Sequence, residues 1–298
     1  MSVPFRSFDP DATVRPLVGE ARAPELHLMT WNIRRRMPRW WLPAADRWTG
    51  RRPLFHRVLA AERPSILGLQ EVMPGQSEDI QSMIGPDYAL VGSGRSATGG
   101  GERCEVHYDT RRLRLLAAET WWLSARPGEP GSRSFGNLVP RLVIQTRLED
   151  LRTGIRFNVL TVQLDHLSRR SRALSADLLR RRVGDLDGPT VVMGDFNDDA
   201  HSGLHRRLAD GRLLQDVLAL AGPRAGAESA TYTRYRPPRP TGRRLDWILV
   251  TPTATVSAAA VNAVRIGGRA ASDHEPVNAV LAWDAPAHER GGSRPWIA

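Results

Sequence analysis

The sequence predicts an α/β (α+β) fold in which two mixed β-sheets pack face to face with helices on their outer faces. Three observations support this prediction. Apolar runs of strand length outnumber helical segments, neighbouring runs in the middle of the chain are close enough to form hairpins, and polar residues stand repeatedly where the apolar runs stop. Because few helices accompany many strands, we expect the sheets to contact each other and the helices to lie outside.

The first predicted strands are short and end on polar residues. Residues 26–30 alternate in polarity and lead to Asn32, and residues 65–69 form a buried strand that delivers Gln70 and Glu71 at its end. The other predicted strands span residues 102–108, 113–124, 142–148, 155–163, 190–193, 245–251 and 276–283. Together these strands are enough for two sheets.

Three helices are predicted between the strands. One begins at Pro53, because proline is favoured at the first helical position, and it ends before Pro64. A short helix over residues 77–84 is stopped by Gly85. A long helix spans residues 169–183, where leucines and a valine share one apolar face and arginines cover the rest.

Length and composition indicate an ordinary globular protein. The chain has 298 residues, of which 41% are hydrophobic and 25% are charged. No apolar run approaches the roughly 18 residues that cross a bilayer, and the single cysteine, Cys104, excludes an intramolecular disulfide and a CxxC zinc site. We expect one domain over residues 25–284, an N-terminal tail over 1–24 and a C-terminal tail over 285–298. Since no export signal is visible, a cytoplasmic location is expected.

The net charge is strongly positive and is carried by one residue type. The 42 basic residues outnumber the 32 acidic ones, which gives a net charge of +10, and every basic residue is arginine. A basic chain is typical of proteins that bind phosphate-rich partners such as nucleic acid. An arginine bias of the whole proteome would produce the same balance, so the net charge leaves both interpretations open.

Carboxylates, amides and a histidine stand at or near the ends of apolar strands. They are Asn32, Glu71, Asp195, Asn197, Asp246, Asp273 and His274. A carboxylate that closes a buried strand is costly unless it meets a cation or hydrogen-bond donors. Several of them in one chain favour a shared site for a hard cation with oxygen ligands. Mg²⁺ suits such a site best, because it binds through one or two carboxylates and keeps water for a phosphate substrate, and Mn²⁺ is the alternative.

Five short motifs contain these residues and occur in a known order. They are Thr30-Trp31-Asn32-Ile33, Leu69-Gln70-Glu71-Val72, Gly194-Asp195-Phe196-Asn197, Leu245-Asp246-Trp247-Ile248 and Ser272-Asp273-His274. With this order and spacing the sequence resembles the endonuclease/exonuclease/phosphatase family from about residue 26 to residue 283. The resemblance implies a four-layered α/β sandwich with a catalytic site at one end, so residues 25–284 would form the catalytic domain.

The resemblance also implies which residues bind the metal and the substrate. Glu71 would be the main metal ligand, with Asn32 beside it and Asp273 contributing. The residues expected to bind substrate are Glu102, Arg141, Gln163, Asp165 and His166.

Four further residues would carry the catalysis if the resemblance holds. Asp195 would orient or deprotonate the attacking water, and Asn197 would hold a phosphate oxygen. Asp246 would orient His274, which would contact the scissile phosphate and stabilise its developing charge. The reaction would be in-line attack of water at phosphorus.

One position departs from the family pattern. Many members have a histidine where this chain has Gln163, and that histidine contacts the phosphate or protonates the leaving group. Glutamine donates a hydrogen bond but transfers no proton, and general acid catalysis contributes about 10²- to 10⁴-fold. His166 is close in the sequence, but alternation along a strand predicts that it cannot take the place of residue 163. We therefore expect a reduced rate, or a metal-bound water as the proton source.

The sequence thus predicts a Mg²⁺-dependent phosphoester hydrolase, most simply a phosphodiesterase or nuclease. Two alternatives stay open: a phosphatase or phospholipase that acts on a small phosphorylated metabolite or lipid headgroup, and a binding protein impaired by Gln163. Arginine-rich loops over residues 34–52 and 233–244 are expected at the rims of the site, where they suit phosphate docking, loop packing or lipid contact. The expected partner is the phosphoester substrate, with nucleic acid as a candidate, and no transmembrane segment or obligate protein partner is predicted.

Overall fold

Two six-stranded sheets form the centre of the structure, a computed structural model that describes residues 14–37, 43–221, 230–239 and 241–284. The strands are β1 (Leu26–Asn32), β2 (Ile66–Val72), β3 (Tyr88–Gly94), β4 (Arg103–Asp109), β5 (Leu113–Trp122), β6 (Leu142–Asp150), β7 (Arg156–Gln163), β8 (Thr190–Asp195), β9 (Gln215–Asp216), β10 (Asp246–Val250), β11 (Ala254–Val261) and β12 (Val277–Trp283). The helices are α1 (Trp48–Glu62), α2 (Pro74–Ile84), α3 (Arg169–Gly184), α4 (Gly203–Leu208) and α5 (Val217–Leu220).

Both sheets are mixed, as the sequence predicts. The first has the strand order β11-β12-β1-β2-β4-β3, and its parallel pair is β1 with β2. The second has the order β5-β6-β7-β8-β10-β9, and its parallel pair is β7 with β8. The carboxyl ends of the two parallel pairs meet, because the amide of Asn32 at the end of β1 donates to Asp195 at the end of β8 over 3.0 Å.

Three apolar clusters confirm the predicted four-layered sandwich. The first lies between the sheets and includes Leu28 of β1 and Phe157 of β7. The second packs α3 and α4 on the outer face of the second sheet, and the third packs α1 and α2 on the outer face of the first. Met29 of β1 belongs to the third cluster, so successive residues of this strand serve opposite faces. Every residue of β1 is therefore buried.

Several element boundaries differ from the sequence prediction. The first helix begins at Trp48 instead of Pro53, and the Trp48 ring packs 5.8 Å from that of Phe55 inside the helix. Strands β3 and β11 were not predicted. Both are edge strands, β3 is only partly buried along most of its length, and the outward residues of β11 are small or polar, so neither carries a strong apolar run. The predicted C-terminal tail lies outside the described residues.

The described part of the predicted N-terminal tail lies against the first sheet. The backbone N–H groups of Leu17, Val18 and Gly19 donate to the buried carboxylate of Glu62 over 2.7, 3.1 and 3.0 Å. The amide of Asn262 donates to the same carboxylate over 2.7 Å. Four donors therefore offset the cost of burying this carboxylate. Among the described residues no helix is both long and apolar enough to cross a membrane.

We expect the core between the sheets to dominate stability. Phe157 is fully buried there and stacks on Trp283 with ring centroids 4.8 Å apart. Phe157→Ala should lower the free energy of unfolding by about 3–5 kcal/mol, because truncation removes apolar contacts and leaves a cavity. Urea unfolding followed by tryptophan fluorescence measures this loss. Leu151→Ala in the adjacent hairpin is the control, since Leu151 is 46% exposed. A loss at Phe157 no larger than at Leu151 would contradict the packing described.

Candidate active site

The polar ends of five strands converge at one end of the sandwich. Asn32 ends β1 and Glu71 lies near the end of β2. Asp195 ends β8, where it pairs in register with Gln163 of β7 and with Asp246 of β10. Residues that are far apart in the sequence therefore become neighbours because the sheet register aligns the strand ends. His274 and Asp273 join them from the loop before β12.

Two backbone features aim the carboxylates into the site. Strand β2 has an irregularity against β4 between Leu69 and Val72, and Glu71 adopts a left-handed φ of 61° there. Such a conformation is costly for a glutamate and is retained where the surrounding structure enforces it. Gly194 has a φ of 147°, and a side chain at this position would overlap the backbone of Val162. Glycine therefore lets β8 approach β7 closely just before Asp195.

Glu71 is held in its charged form. Asn32 Nδ2 and Gln163 Nε2 donate to its Oε1 over 3.1 and 3.0 Å, and the Arg35 N–H donates to Oε2 over 3.3 Å. Burial alone would raise the pKa of Glu71. The hydrogen bond from Asn32 and the positive charge of His274 outweigh burial and hold the pKa of Glu71 below its ordinary value. A partly buried carboxylate that stays ionised is a suitable ligand for a cation.

Asp195 behaves in the opposite way. Its Oδ1 accepts from the Asn197 N–H over 2.9 Å, and its Oδ2 accepts from Asn32 Nδ2 over 3.0 Å and from Asn197 Nδ2 over 3.1 Å. Burial, together with the negative charges of Asp246 and Glu71, raises the pKa of Asp195 to about 6. Asp195 is thus a carboxylate able to take up a proton near neutral pH.

His274 and Asp246 form a buried pair. His274 Nδ1 lies 2.8 Å from Asp246 Oδ2, and the ring of His274 lies 4.9 Å from the ring of Tyr232. The N–H of Asp246 donates to Thr231 Oγ1 over 3.0 Å, and Trp31 Nε1 donates to the carbonyl of His274 over 2.9 Å. Burial opposes a charge on His274, but the Asp246 carboxylate outweighs it and raises the pKa of His274 well above its ordinary value of 6.5. The Asp246 carboxylate therefore favours the protonated, positively charged form of the imidazole.

Asp273 lies beside this pair and shares its environment. Its Oδ1 accepts from Ser272 Oγ over 3.3 Å, and its Oδ2 lies 3.9 Å from Arg34 Nε. Burial and the negative charge of Glu71 raise the pKa of Asp273, while the charges of His274 and Arg34 act against this rise. Glu71 and Asp273 are consequently close enough to repel each other.

The predicted substrate-binding residues form a network around Arg141. The guanidinium of Arg141 donates to Gln163 Oε1 over 2.8 Å and contacts His166 Nδ1 at 2.9 Å. Its Nε lies 3.6 Å from Asp165. Because a guanidinium only donates, His166 Nδ1 accepts, and the neutral imidazole carries its proton on Nε2. Glu102 stands apart from this network.

The structure shows where His166 lies relative to Gln163. Alternation along a strand predicted only that His166 could not take the place of residue 163; that it lies beside Gln163 was not predicted. Strand β7 ends at Gln163, so the alternation stops there, and Asp165 Oδ1 accepts from the N–H groups of Leu167 and Ser168 over 3.0 and 2.6 Å. This turn brings His166 to the same cleft wall as Gln163, although it does not occupy the same position.

These residues surround an open cleft of about 450 Å³. Nine of the predicted site residues line it: Glu71, Glu102, Arg141, Gln163, His166, Asp195, Asn197, Asp273 and His274. Asn32, Asp165 and Asp246 lie behind the lining and hydrogen-bond to it or to neighbouring backbone. The predicted residues are thus gathered at one place.

Arginines and a tyrosine complete the cleft. Lining residues that were not among the predicted site residues are Arg34, Arg35, Arg95, Val139, Tyr232, Arg234, Arg243 and Leu245. The carboxylate of Glu102 pairs with Arg35 and Arg95, each over 2.5 Å. Arg95 and Tyr232 belong to the short segments Gly92-Ser93-Gly94-Arg95 and Thr231-Tyr232-Thr233, which also resemble the family pattern and could have marked them as site residues.

Different arginines of the first arginine-rich loop reach the cleft and pack the loop, which corresponds to two of the three roles considered for it. Arg34 and Arg35 reach the cleft, whereas Arg51 is fully buried and donates to the carbonyls of Ile33 and Ala271 over 2.6 and 3.1 Å. Arg51 therefore packs the loop after β1 against the loop before β12. Trp40 and Trp41 lie outside the described residues.

Two sets of side chains could hold a cation. Donor atoms of Asp195, Asp246 and His274 lie within 4.8 Å of one another. In this set the hydrogen bond to Asp246 occupies His274 Nδ1, and the raised pKa of His274 favours a proton there. Glu71 and Asp273 offer carboxylate oxygens, which are the ligands that a hard cation prefers. The donor chemistry therefore fits Mg²⁺ or Mn²⁺ better at Glu71 and Asp273.

The sequence matches the model of one protein family over residues 29–274, described as the Endonuclease/Exonuclease/phosphatase family. This range covers most of the chain and all the residues assembled in the cleft. The chain belongs to the endonuclease/exonuclease/phosphatase family. The resemblance drawn from the five motifs is thereby confirmed. No curated protein matches the sequence significantly.

Solved structures of this family share the fold along nearly their whole length. A family protein from Bacteroides vulgatus is 25% identical, with a TM-score of 0.80 over 87% of this chain and 99% of that one. One from Bacteroides thetaiotaomicron is 25% identical, with a TM-score of 0.79 over 87% and 98%. A mannosyl-6-phosphatase from Bacteroides thetaiotaomicron is 25% identical, with a TM-score of 0.78 over 87% and 100%.

The charge on His274 gives a testable pH dependence. In the metal-free protein the imidazole should titrate well above pH 6.5, and Asp246→Asn should move the titration to lower pH because it removes the negative partner. Histidine NMR signals followed against pH measure this, with His274→Gln used for assignment. The pair stabilises the folded state below the pKa of an unfolded histidine, and this stabilisation is lost as pH rises through the raised value.

Asp216→Asn is the control variant, because it removes an aspartate that pairs with a different histidine, His205, over 2.7 Å. It should leave the titration of His274 unchanged. An unaltered His274 titration in Asp246→Asn would show that Asp246 does not hold the proton on the imidazole.

Proposed function

We propose that the protein is a divalent-metal-dependent phosphoester hydrolase that cleaves phosphodiesters, with nucleic acid as the leading substrate class. The observation that carries the proposal is the convergence of Glu71, Asp195 and His274 in one cleft, where Asn32 and Gln163 donate to Glu71 and Asp246 pairs with His274 over 2.8 Å. A ligand for a cation, a base for water and a cation facing the phosphate are the parts that hydrolysis at phosphorus requires. Membership of a family of phosphoesterases supports the same reaction.

Mg²⁺ is the proposed cofactor, with Mn²⁺ as a substitute. Glu71 would hold it, with Asp273 and Asn32 contributing, and the bound ion would polarise a phosphoryl oxygen and neutralise negative charge. Asn32 now directs its Nδ2 toward Glu71, while its Oδ1 accepts from the Arg34 N–H over 3.0 Å. Ligation through Oδ1 therefore requires rotation of the Asn32 amide.

The remaining residues act on water and on the phosphate. Asp195 takes a proton from the water that attacks phosphorus, and the N–H of Asn197 keeps its carboxylate oriented. His274 donates to a phosphoryl oxygen and stabilises the negative charge that develops there, while Asp246 keeps it protonated. Asn197 lines the cleft and would hold a second phosphoryl oxygen after its Nδ2, which now donates to Asp195 and to the Leu164 carbonyl, releases one of these acceptors.

Arg141 and His166 bind the substrate on the opposite wall. The guanidinium of Arg141 is buried and supplies a fixed positive charge, and His166 presents an N–H from Nε2. Gln163 links this pair to the carboxylates, because its Oε1 accepts from Arg141 and its Nε2 donates to Glu71. The glutamine thus positions charged neighbours without adding a charge.

The arginine content of the cleft favours a phosphodiester polymer, and one comparison favours a small substrate. Six arginines line the cleft, which suits several phosphates along a strand: Arg34, Arg35, Arg95, Arg141, Arg234 and Arg243. The similarity to a mannosyl-6-phosphatase, at 25% identity, supports the second candidate, a phosphatase acting on a small phosphorylated metabolite. A lipid headgroup phosphate belongs to this second class. The cytoplasmic location stays a prediction.

Hydrolysis assays on several substrates test the proposed function. The purified protein should hydrolyse a nitrophenyl phosphodiester and single-stranded oligonucleotides with Mg²⁺, and a chelator should abolish the activity. Glu71→Gln should lower kcat/KM by about 10²-fold or more, because the cation loses its charged ligand. His274→Ala should lower kcat by about 10²- to 10³-fold through loss of charge stabilisation.

His56→Ala is the matched control for His274, because His56 is exposed on α1. It should leave kcat unchanged. Folded wild-type protein that hydrolyses no phosphoester with either metal would refute the proposal. Selective hydrolysis of a sugar phosphate, with none of the diesters cleaved, would establish the second candidate instead.

Gln163 offers a separate test of proton transfer to the leaving group. Gln163→His should raise kcat about tenfold or more for a dialkyl phosphodiester, whose alkoxide leaving group needs a proton. It should change kcat little for a nitrophenyl diester, whose leaving group departs without one. Steady-state rates on the two substrates measure the difference.

Gln163→Ala is the control, because it removes the hydrogen bonds to Glu71 and Arg141 without supplying an acid. It should slow both reactions. An equal effect of Gln163→His on both substrates would exclude leaving-group protonation as the explanation. Rapid hydrolysis by the wild type would exclude the impaired binding protein.

A further inference from the structure

A second, smaller pocket adjoins the catalytic cleft. Its volume is about 300 Å³, and the two share Tyr232, Arg234 and Arg243 as a common wall. Arg236 and Arg239 line only the smaller pocket. We call it the basic pocket, because its lining, within the residues that the structure describes, includes four arginines and no carboxylate.

We infer that the basic pocket binds a second phosphate group of the same substrate molecule whose scissile phosphate lies at His274. This inference rests on the proposed function and adds to it a substrate class: phosphoesters that carry at least one further phosphate. Neighbouring phosphates of a nucleic acid strand and the second phosphate of a small bisphosphate share this chemistry.

The two sites differ in whether their arginines are paired with carboxylates. In the catalytic cleft Arg35 and Arg95 are paired with Glu102, and Arg34 pairs with Asp46. Within the described part of the chain, none of the four arginines of the basic pocket has a carboxylate within 4.0 Å. Like charges around one pocket repel each other, and a bound anion relieves that repulsion.

The arginines of the basic pocket are available to a ligand. Arg234, Arg236, Arg239 and Arg243 are all exposed, so an incoming phosphate need not break an existing buried contact. Arg234 lies over the ring of Tyr232, with its guanidinium carbon 5.3 Å from the centroid. The Tyr232 ring in turn lies 4.9 Å from the ring of His274. The basic pocket is therefore next to the proposed position of the scissile phosphate.

The loop that carries these arginines is fixed at its base. The N–H groups of Thr233 and Arg234 donate to the carbonyl of Asp273 over 2.9 and 3.0 Å. The hydroxyl of Tyr235 donates to Asp46 over 2.6 Å. Arg234 and Tyr235 both adopt left-handed φ values, 53° and 67°, which are costly for side chains of this kind.

The far side of the loop is also fixed. Arg265 donates to the carbonyl of Arg236 over 2.6 Å and pairs with the buried Glu275 over 2.5 Å. Pro237 and Pro238 restrict the backbone between Arg236 and Arg239. A backbone held at these points places the arginines around the pocket before the ligand arrives, which lowers the entropic cost of binding.

Equilibrium binding in the presence of a chelator tests the inference without catalysis. The probes are a fluorescein-labelled single-stranded oligonucleotide, a hexose bisphosphate and a hexose monophosphate. Arg236→Ala/Arg239→Ala should weaken binding of a multi-phosphate probe about tenfold or more, because hydrogen bonds to a charged phosphate are lost. Binding of the monophosphate should not change, since neither arginine lines the catalytic cleft.

Salt dependence separates the two sources of the second phosphate. If the substrate is a strand, the slope of log K against log salt should become shallower by about 1.4 in the double variant, at about 0.7 for each lost contact. A loss confined to the hexose bisphosphate would identify a small molecule. Unchanged binding of both multi-phosphate probes would overturn the inference, and so would an equal loss for the monophosphate.

Two further variants control the interpretation. Arg236→Lys/Arg239→Lys keeps the charge and should retain most of the affinity. Arg152→Ala removes an exposed arginine from the β6–β7 hairpin, at the opposite end of the sandwich, and should have no effect. Absence of Mg²⁺-dependent hydrolysis on every substrate would refute the proposed function. Intact hydrolysis with binding unaffected by the double variant would refute only the basic pocket.

Discussion

The buried pair of Asp246 and His274 is the interaction on which the site depends. It places one positive charge among three further carboxylates, Glu71, Asp195 and Asp273, and this charge lowers the pKa of each of them. Without it, burial and mutual repulsion would raise the pKa of each of these carboxylates further. The pair also links the two sheets, because Asp246 begins β10 of the second sheet and His274 lies in the loop that leads into β12 of the first.

Neutral amides complete the control of charge. Asn32, Asn197 and Gln163 donate to Glu71 or Asp195 and thereby stabilise buried carboxylates without cancelling their charge. A protonated histidine at position 163 would add a positive charge beside the ligands proposed for the cation. Compared with a histidine, Gln163 therefore favours cation binding but supplies no acid. The sequence alone shows only the loss of the acid.

Most of the fold could be predicted from the sequence, because apolar runs mark the central strands. The strand ends at Glu71 and Asp195 were predictable for the same reason: a polar residue that follows a buried run has to be at an edge. The edge strands β3 and β11 carry weaker patterns and were missed. The position of His166 depends on a turn and not on the alternation of side chains along a strand. Tyr232 reaches the wall of the cleft through a backbone bridge to His274, which is distant in the sequence.

Net charge illustrates what the sequence alone could not decide. A compositional bias explains why every basic residue is arginine, yet it predicts nothing about which arginines lack a carboxylate. In the described structure many arginines are neutralised locally, as Arg112 is by Asp150 at 2.6 Å and Arg172 by Asp198 at 3.1 Å. The basic pocket differs because its arginines are exposed and converge next to the catalytic cleft. An excess of positive charge is therefore informative where it is concentrated and unpaired, and here that place adjoins His274.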